Sequence, residues 1–137
     1  MAYWLLKTEP EAFSWADQMA RGSAGEPWSG VRNHQAKNFI NAMKPGDSAF
    51  FYHTSTHRKI VGIVQIVTLP FPDPTDAAWI AVTTVAASPF PYPVTLAQIK
   101  AHPDLQNMAL LKQSRLSVQP VSSAEWAVIV ALGNQPL

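Results

Sequence analysis

Two proline runs constrain this chain more than any other feature. Pro70, Pro72 and Pro74 fall within five residues, and Pro89, Pro91 and Pro93 repeat the spacing. A proline removes a backbone donor, fixes φ and drives the residue before it out of the helical region, so no regular helix crosses either stretch. Leu69 to Asp76 therefore reads as a loop, and Ser88 to Pro93 as a rigid, edge-like connector. Twelve prolines against six glycines imply fixed corners rather than flexible linkers.

The rest of the chain falls into short elements around these runs. Tyr3 to Thr8 reads as a first strand, ended by Pro10. Ser48 to Thr54 carries Ala49, Phe50, Phe51 and Tyr52 almost without interruption, which predicts a strand covered on both faces. Lys59 to Thr68 is its hairpin partner, and Gly62 marks a bulge or a close approach. Trp79 to Ala86 is a fourth strand, and Ser114 to Pro120 returns an extended segment to the sheet. Helices are predicted where a capping residue precedes an apolar face: Ser14 before Trp15 and Met19, and Asn33 before Ala36, Phe39, Ile40 and Met43. Thr95 with Gln98, and Ser122 with Glu125, fit capping boxes. Strands and helices alternate unevenly, without internal repeat or dividing linker. Residues 1–137 are expected to form one domain, an α+β fold built on a curled mixed β-sheet or open β-barrel with surrounding short helices.

Composition excludes several classes. There is no cysteine, so disulfides and thiol chemistry are absent. The first ten residues lack a basic region followed by a long apolar run, so no signal peptide is expected. No apolar run approaches the roughly eighteen residues of a membrane span. The expectation is a soluble cytoplasmic protein, without membrane contact and with a monomer favoured. The formal net charge is only +1, but it is unevenly spread. Residues 28–66 carry Arg32, Lys37, Lys44, Arg58 and Lys59 against Asp47, a net of +4.

No glycine-rich phosphate loop, paired-histidine metal helix or nucleophile elbow is present. His53 and His57 share a hairpin tip without an evident third ligand, so no metal and no cofactor are expected. His53 is expected to close its strand end and to hydrogen-bond to a neighbouring loop. Glu9, Asp47 and Asp73 are acid–base candidates by composition only. The aromatic inventory points to binding. Of five tryptophans, Trp4, Trp15 and Trp126 sit in apolar periodic patterns and read as core. Trp28 lies between Pro27 and a glycine turn, and Trp79 follows the first proline run. These two indoles could form the sides of a slot for a flat ring, with Asn33 and backbone amides reading its edge. Arg32, Lys37, Arg58 and Lys59 could engage phosphates. The alternative, which composition by itself favours, is that both indoles plug the ends of the core.

Several stretches together are similar to the EVE domain family, whose fold belongs with the PUA-like and YTH domains. They are Tyr3-Trp4-Leu5-Leu6-Lys7-Thr8-Glu9-Pro10, Trp28-Ser29-Gly30-Val31-Arg32-Asn33-His34-Gln35-Ala36-Lys37-Asn38-Phe39, and Gly46-Asp47. Phe51-Tyr52-His53-Thr54, Pro72-Asp73-Pro74-Thr75, Arg115-Leu116-Ser117-Val118-Gln119-Pro120-Val121 and Glu125-Trp126 continue the likeness almost to the end of the chain. Family members often carry an acidic residue where this chain has Thr83. The resemblance implies a PUA-like fold and non-catalytic recognition of a modified base in DNA or RNA. It makes Trp28 one wall of an aromatic pocket and Trp79 a second, with Gly30, Val31, Arg32 and Asn33 lining the pocket from the loop. Lys7, Thr8 and Glu9 would approach from the first strand, Tyr52, His53 and Thr54 from the hairpin, and Arg115 and Ser117 from the last extended segment. Loss of Trp28 is then expected to abolish binding and leave the fold intact. An enzyme acting on a modified nucleoside would instead require Glu9 or His53 near the pocket centre. A protein-interaction module would use the proline runs, with an apolar patch around Phe71 and Phe90.

Overall fold

The computed structural model describes residues 1–136. Strands β1 (Tyr3–Thr8), β2 (Glu26–Pro27), β3 (Ser48–His53), β4 (Lys59–Ile66), β7 (Thr83–Thr95) and β8 (Val118–Val121) form a six-stranded mixed sheet of order β2-β7-β4-β3-β1-β8. Only β1 and β3 run parallel; the remaining neighbours are antiparallel. The sheet curls into a half-barrel surrounded by short helices: α1 (Trp15–Ala20), α2 (His34–Ala42), α3 (Leu96–Ala101), α4 (Ala109–Lys112) and α5 (Ser123–Gly133).

Local sequence accounts for four of the five α-helix starts; α4 begins after Met108 without a side-chain cap. Ser14, Thr95 and Ser122 each complete a capping box with Asp17, Gln98 and Glu125. Asn33 caps α2 by accepting from the Ala36 N–H. Each cap satisfies a backbone donor that has no partner inside its own helix.

The central strands are buried on both faces, as the unbroken apolar run in β3 predicts. Trp4, Leu6, Ala49 and Phe51 face one core, which α1 and α2 cover with Trp15, Ala36 and Ile40. Leu5, Phe50 and Tyr52 face the other, which Ile99, Leu105, Leu110 and Ile129 close. In β4 the side alternation changes phase across Gly62. Val61 and Val64 share one core, while Ile60 and Ile63 share the other. The register shifts at the same place. Gly62 is therefore both a bulge and a close approach. A Cβ there would lie 2.7 Å from two carbons of the Trp15 ring and 2.9 Å from the Ser88 carbonyl oxygen. Gly62→Ala is expected to cost about 1–3 kcal/mol by overpacking, read as a lower urea midpoint. An unchanged midpoint would mean that the Trp15 ring retreats freely.

The second proline run is strand throughout, which corrects the connector reading. The first is strand at Phe71–Asp73, with Pro74 and Thr75 in the turn, which corrects the loop reading in part. Strand β5 (Phe71–Asp73) pairs with β6 (Asp76–Ala81) in a separate two-stranded hairpin, with Pro72 opposite Ile80. Each strand of a two-stranded ribbon has a free edge, so a missing donor can be tolerated there. Pro89, Pro91 and Pro93 lie inside the thirteen-residue β7. The β4 pairing runs from Pro89 opposite Gly62 to Val94 opposite Ile60 across a register shift. Pro91 and Pro93 therefore stand where β4 offers no partner for a missing donor. On the other edge β2 reaches only Thr83 and Thr84. The fourth strand predicted from Trp79 to Ala86 is divided at Val82 between β6 and β7.

Candidate functional site

The loop from Trp28 to Asn33 is held from three directions. Its first residue continues from β2, and the Trp28 N–H donates to the Val82 carbonyl at 2.7 Å. The Trp28 side chain turns inward and meets Phe51 and Phe13 edge-on, at 5.6 and 6.1 Å between centroids. The last residue, Asn33, is committed to capping α2. Between them Gly30 adopts φ +83°, a conformation that favours glycine. Its N–H donates to Asp73 Oδ2 at 2.9 Å.

Asp73 anchors the loop. Its side chain is fully buried, and Oδ2 also accepts from Arg32 Nη1 at 3.0 Å. Oδ1 accepts from the Thr75 N–H and from Thr75 Oγ1, both at 2.7 Å. Arg32 Nη2 closes the network on Thr75 Oγ1 at 2.9 Å. Burial by itself raises the Asp73 carboxyl pKa. The hydrogen bonds from Thr75, Gly30 and Arg32 together outweigh it and hold the group well below the usual carboxylate range. The first proline run thus delivers one buried carboxylate behind the loop.

A partly open cavity of about 120 Å³ lies beside Trp28. Lys7 and Thr8 reach it from the end of β1, Phe13 from the turn before α1, and Glu26, Pro27 and Ser29 from the segment flanking Trp28. Thr8 Oγ1 donates to the Phe13 carbonyl at 3.1 Å and holds that turn against the strand end. An apolar cavity of roughly 150 Å³ holds benzene, so this volume suits one small ring. A sugar and phosphate attached to that ring must stay outside.

One larger depression adjoins the cavity, and a second adjoins the first. Lys7 is shared with one of about 330 Å³, which Tyr52, Thr54, Arg58 and Ser114 also line. Ser114 is shared with another of about 320 Å³, lined by Asn33, Gln35, Arg115 and Leu116. Lys7, between the cavity and the first depression, is pinned there by Nζ, which donates to the Ser114 carbonyl at 2.7 Å. Its N–H donates to the Ser117 carbonyl at 3.0 Å. Partial burial lowers the Lys7 pKa. Burial raises that of Tyr52, against the opposing influence of Arg58.

The remaining candidates take other places. Trp79 does not line the Trp28 cavity, so the expected two-indole slot is not formed. Its ring lies 5.0 Å from that of His34, with Arg32 and Lys37 at 5.6 and 5.5 Å from its centroid. Lys37 Nζ also donates to the Ala78 carbonyl at 3.1 Å. Trp79 thereby fastens β6 to α2. Trp28 and Val31 are core residues, with 7% and 5% of their surface exposed. Arg32 and Lys37, read as phosphate contacts, are occupied by these internal bonds. Arg58 Nε donates to the Ser55 carbonyl, and Lys59 sits in β4 opposite Thr95. Glu9 is exposed, and its carbonyl accepts from Ala12 and Phe13. His53 is buried, and Nε2 accepts from the Trp15 N–H at 3.1 Å. It closes the strand end and holds a neighbouring segment, as expected. Burial, with the nearby His57 and Lys59, lowers its pKa. Glu9 and His53 therefore form no acid–base pair at the cavity.

Sequence reading did not single out Phe13, Glu26, Pro27 or Ser29 for this site. It took Asp73 as an acid–base candidate by composition and as part of a family motif, not as the anchor of the loop. One signal was available for Glu26, which stands two residues before Trp28. In extended backbone that spacing sends both side chains to one side. Among the described residues, no cluster of three or more histidine, aspartate or glutamate side chains is placed to hold a metal. No helix there is long and apolar enough to cross a membrane.

Comparison with known proteins adds relatives to this geometry. The EVE domain profile matches residues 2–132. Thymocyte nuclear protein 1 of Gallus gallus is 34% identical, over 97% of this chain and 69% of its own. The solved structure of Rpa0253 from Rhodopseudomonas palustris is 51% identical with a TM-score of 0.92, covering 97% of this chain and 93% of that one. Human THYN1, solved in complex with DNA containing 5-methylcytosine, is 29% identical with a TM-score of 0.92, and each chain is covered completely.

Proposed function

The chain belongs to the EVE domain family, and from that premise we propose that it binds a modified cytosine of DNA without catalysing a reaction on it. The ring-sized cavity beside Trp28 carries this reading. It admits a base and excludes the attached backbone. A base reaches such a cavity only after leaving its stack. The human relative, solved with 5-methylcytosine DNA, supports the choice of ligand.

Lys7, Arg58 and Arg115 line the depressions that continue from the cavity mouth, and neither depression has an acidic lining residue. They run in sequence from Lys7 to Ser114 and offer a path for the strand on one side of the extruded base. Arg32 and Lys37 line neither the cavity nor these depressions. Phosphate contacts position the strand and add affinity without reading sequence.

Titration of strands carrying one 5-methylcytosine, cytosine or abasic position, at two salt concentrations, tests the reading. The 5-methylcytosine strand should bind most tightly at both. Equal affinity for all three would reject a base-selective cavity. Arg115→Ala should weaken all three strands by a similar factor. It should also reduce the slope of log affinity against log salt by about 0.7, the loss of one single-strand phosphate contact. A change confined to the modified strand would instead place Arg115 against the base.

A further inference from the structure

Arg21 and Glu26 form an exposed pair at the cavity. Arg21 Nε donates to Glu26 Oε1 at 2.9 Å. Surface pairs of this kind contribute little to stability, yet both partners of this one are held in place. The Arg21 guanidinium carbon lies 5.5 Å from the centroid of the Phe13 ring, and Phe13 is part of the cavity wall. Glu26 is paired through the backbone with Thr84 in β7. Glu26 itself lines the cavity and shares its side of the extended backbone with Trp28. Among the described residues, Oε1 is engaged by Arg21 and Oε2 receives no hydrogen bond.

We propose that Glu26, oriented by Arg21, is the residue that selects the base, accepting through Oε2 a hydrogen bond from the exocyclic 4-amino group of a cytosine-type pyrimidine. This rests on the cavity being the base site. The carboxylate presents only acceptors, and acidic side chains pair with the cytosine N4 amino group. A thymine-type base carries a carbonyl oxygen at that position, so two acceptors would face each other. The ring-sized volume favours a pyrimidine over the two fused rings of a purine.

5-Methylcytosine and thymine share the 5-methyl group and differ at position 4, so their affinity ratio isolates the proposed contact. Single strands carrying one 5-methylcytosine, one thymine or one abasic position are titrated against the parent and Glu26→Gln. The parent should prefer 5-methylcytosine to thymine by at least about fivefold. In Glu26→Gln the amide oxygen should remain toward Arg21, turning the amino group toward the base. The preference should then fall to unity or reverse. A ratio that stays within twofold of the parent value overturns the assignment of Glu26. A parent that binds the abasic strand as tightly as the 5-methylcytosine strand overturns the cavity reading itself. The substitution is isosteric and lies outside the core, and circular dichroism melting verifies the fold.

Discussion

Trp28→Ala is expected to destabilise the fold by about 3–5 kcal/mol, the usual cost of truncating a buried Phe or Trp to Ala. Only 7% of the Trp28 surface is exposed, and its ring meets both Phe13 and Phe51. A domain of this size has roughly 5–15 kcal/mol in total, so the variant should unfold at a much lower urea concentration. This reverses the expectation that Trp28 could be removed with the fold intact. Wall and core are the same residue. Loss of binding in the alanine variant would consequently mix two causes, and Trp28→Phe is the sharper probe of stacking. An alanine variant with an unchanged urea midpoint would show that the indole contributes nothing to the core.

Asp73→Asn should be the second large effect, costing about 2–3 kcal/mol near neutral pH. Hydrogen bonds to a charged group contribute roughly 1.5–3 kcal/mol each, and the amide keeps only part of this set. The Arg32 side chain is 39% exposed, so water relieves some of its lost pairing. The folded-state pKa of Asp73 is depressed. Its contribution is therefore complete above the unfolded value of about 3.9, and it is lost as pH falls from there through the folded value. The stability gap between parent and variant should be widest at pH 7 and shrink as acid is added below about pH 4. A gap independent of pH would reject the assignment. Because Gly30 and Arg32 share this carboxylate, base binding should weaken with it.

Much of the fold was legible because its signals are local. Four of the five α-helix starts needed only a capping side chain and an amide a few residues later, at Ser14, Asn33, Thr95 and Ser122. The two-sided burial of β3 followed from its apolar run. The site was less legible. Trp28 and Lys7 were found, but Trp79 looked equally available until the fold placed it between α2 and β6. Glu26 looked like a loop charge, because its neighbours at the cavity come from β1 and the turn before α1.

The sequence by itself determined the caps, the apolar alternation and the family motifs, each encoded within a few residues. Tertiary structure alone decided what the proline runs became. Proline excludes helix locally, but whether its missing donor is tolerable in a strand depends on which edge lacks a neighbour. That edge is set by strands far away in the chain. The same non-local pairing carries Asp73 behind Gly30, forty-three residues distant. A run that read as a plain loop thus became the brace of the candidate binding site.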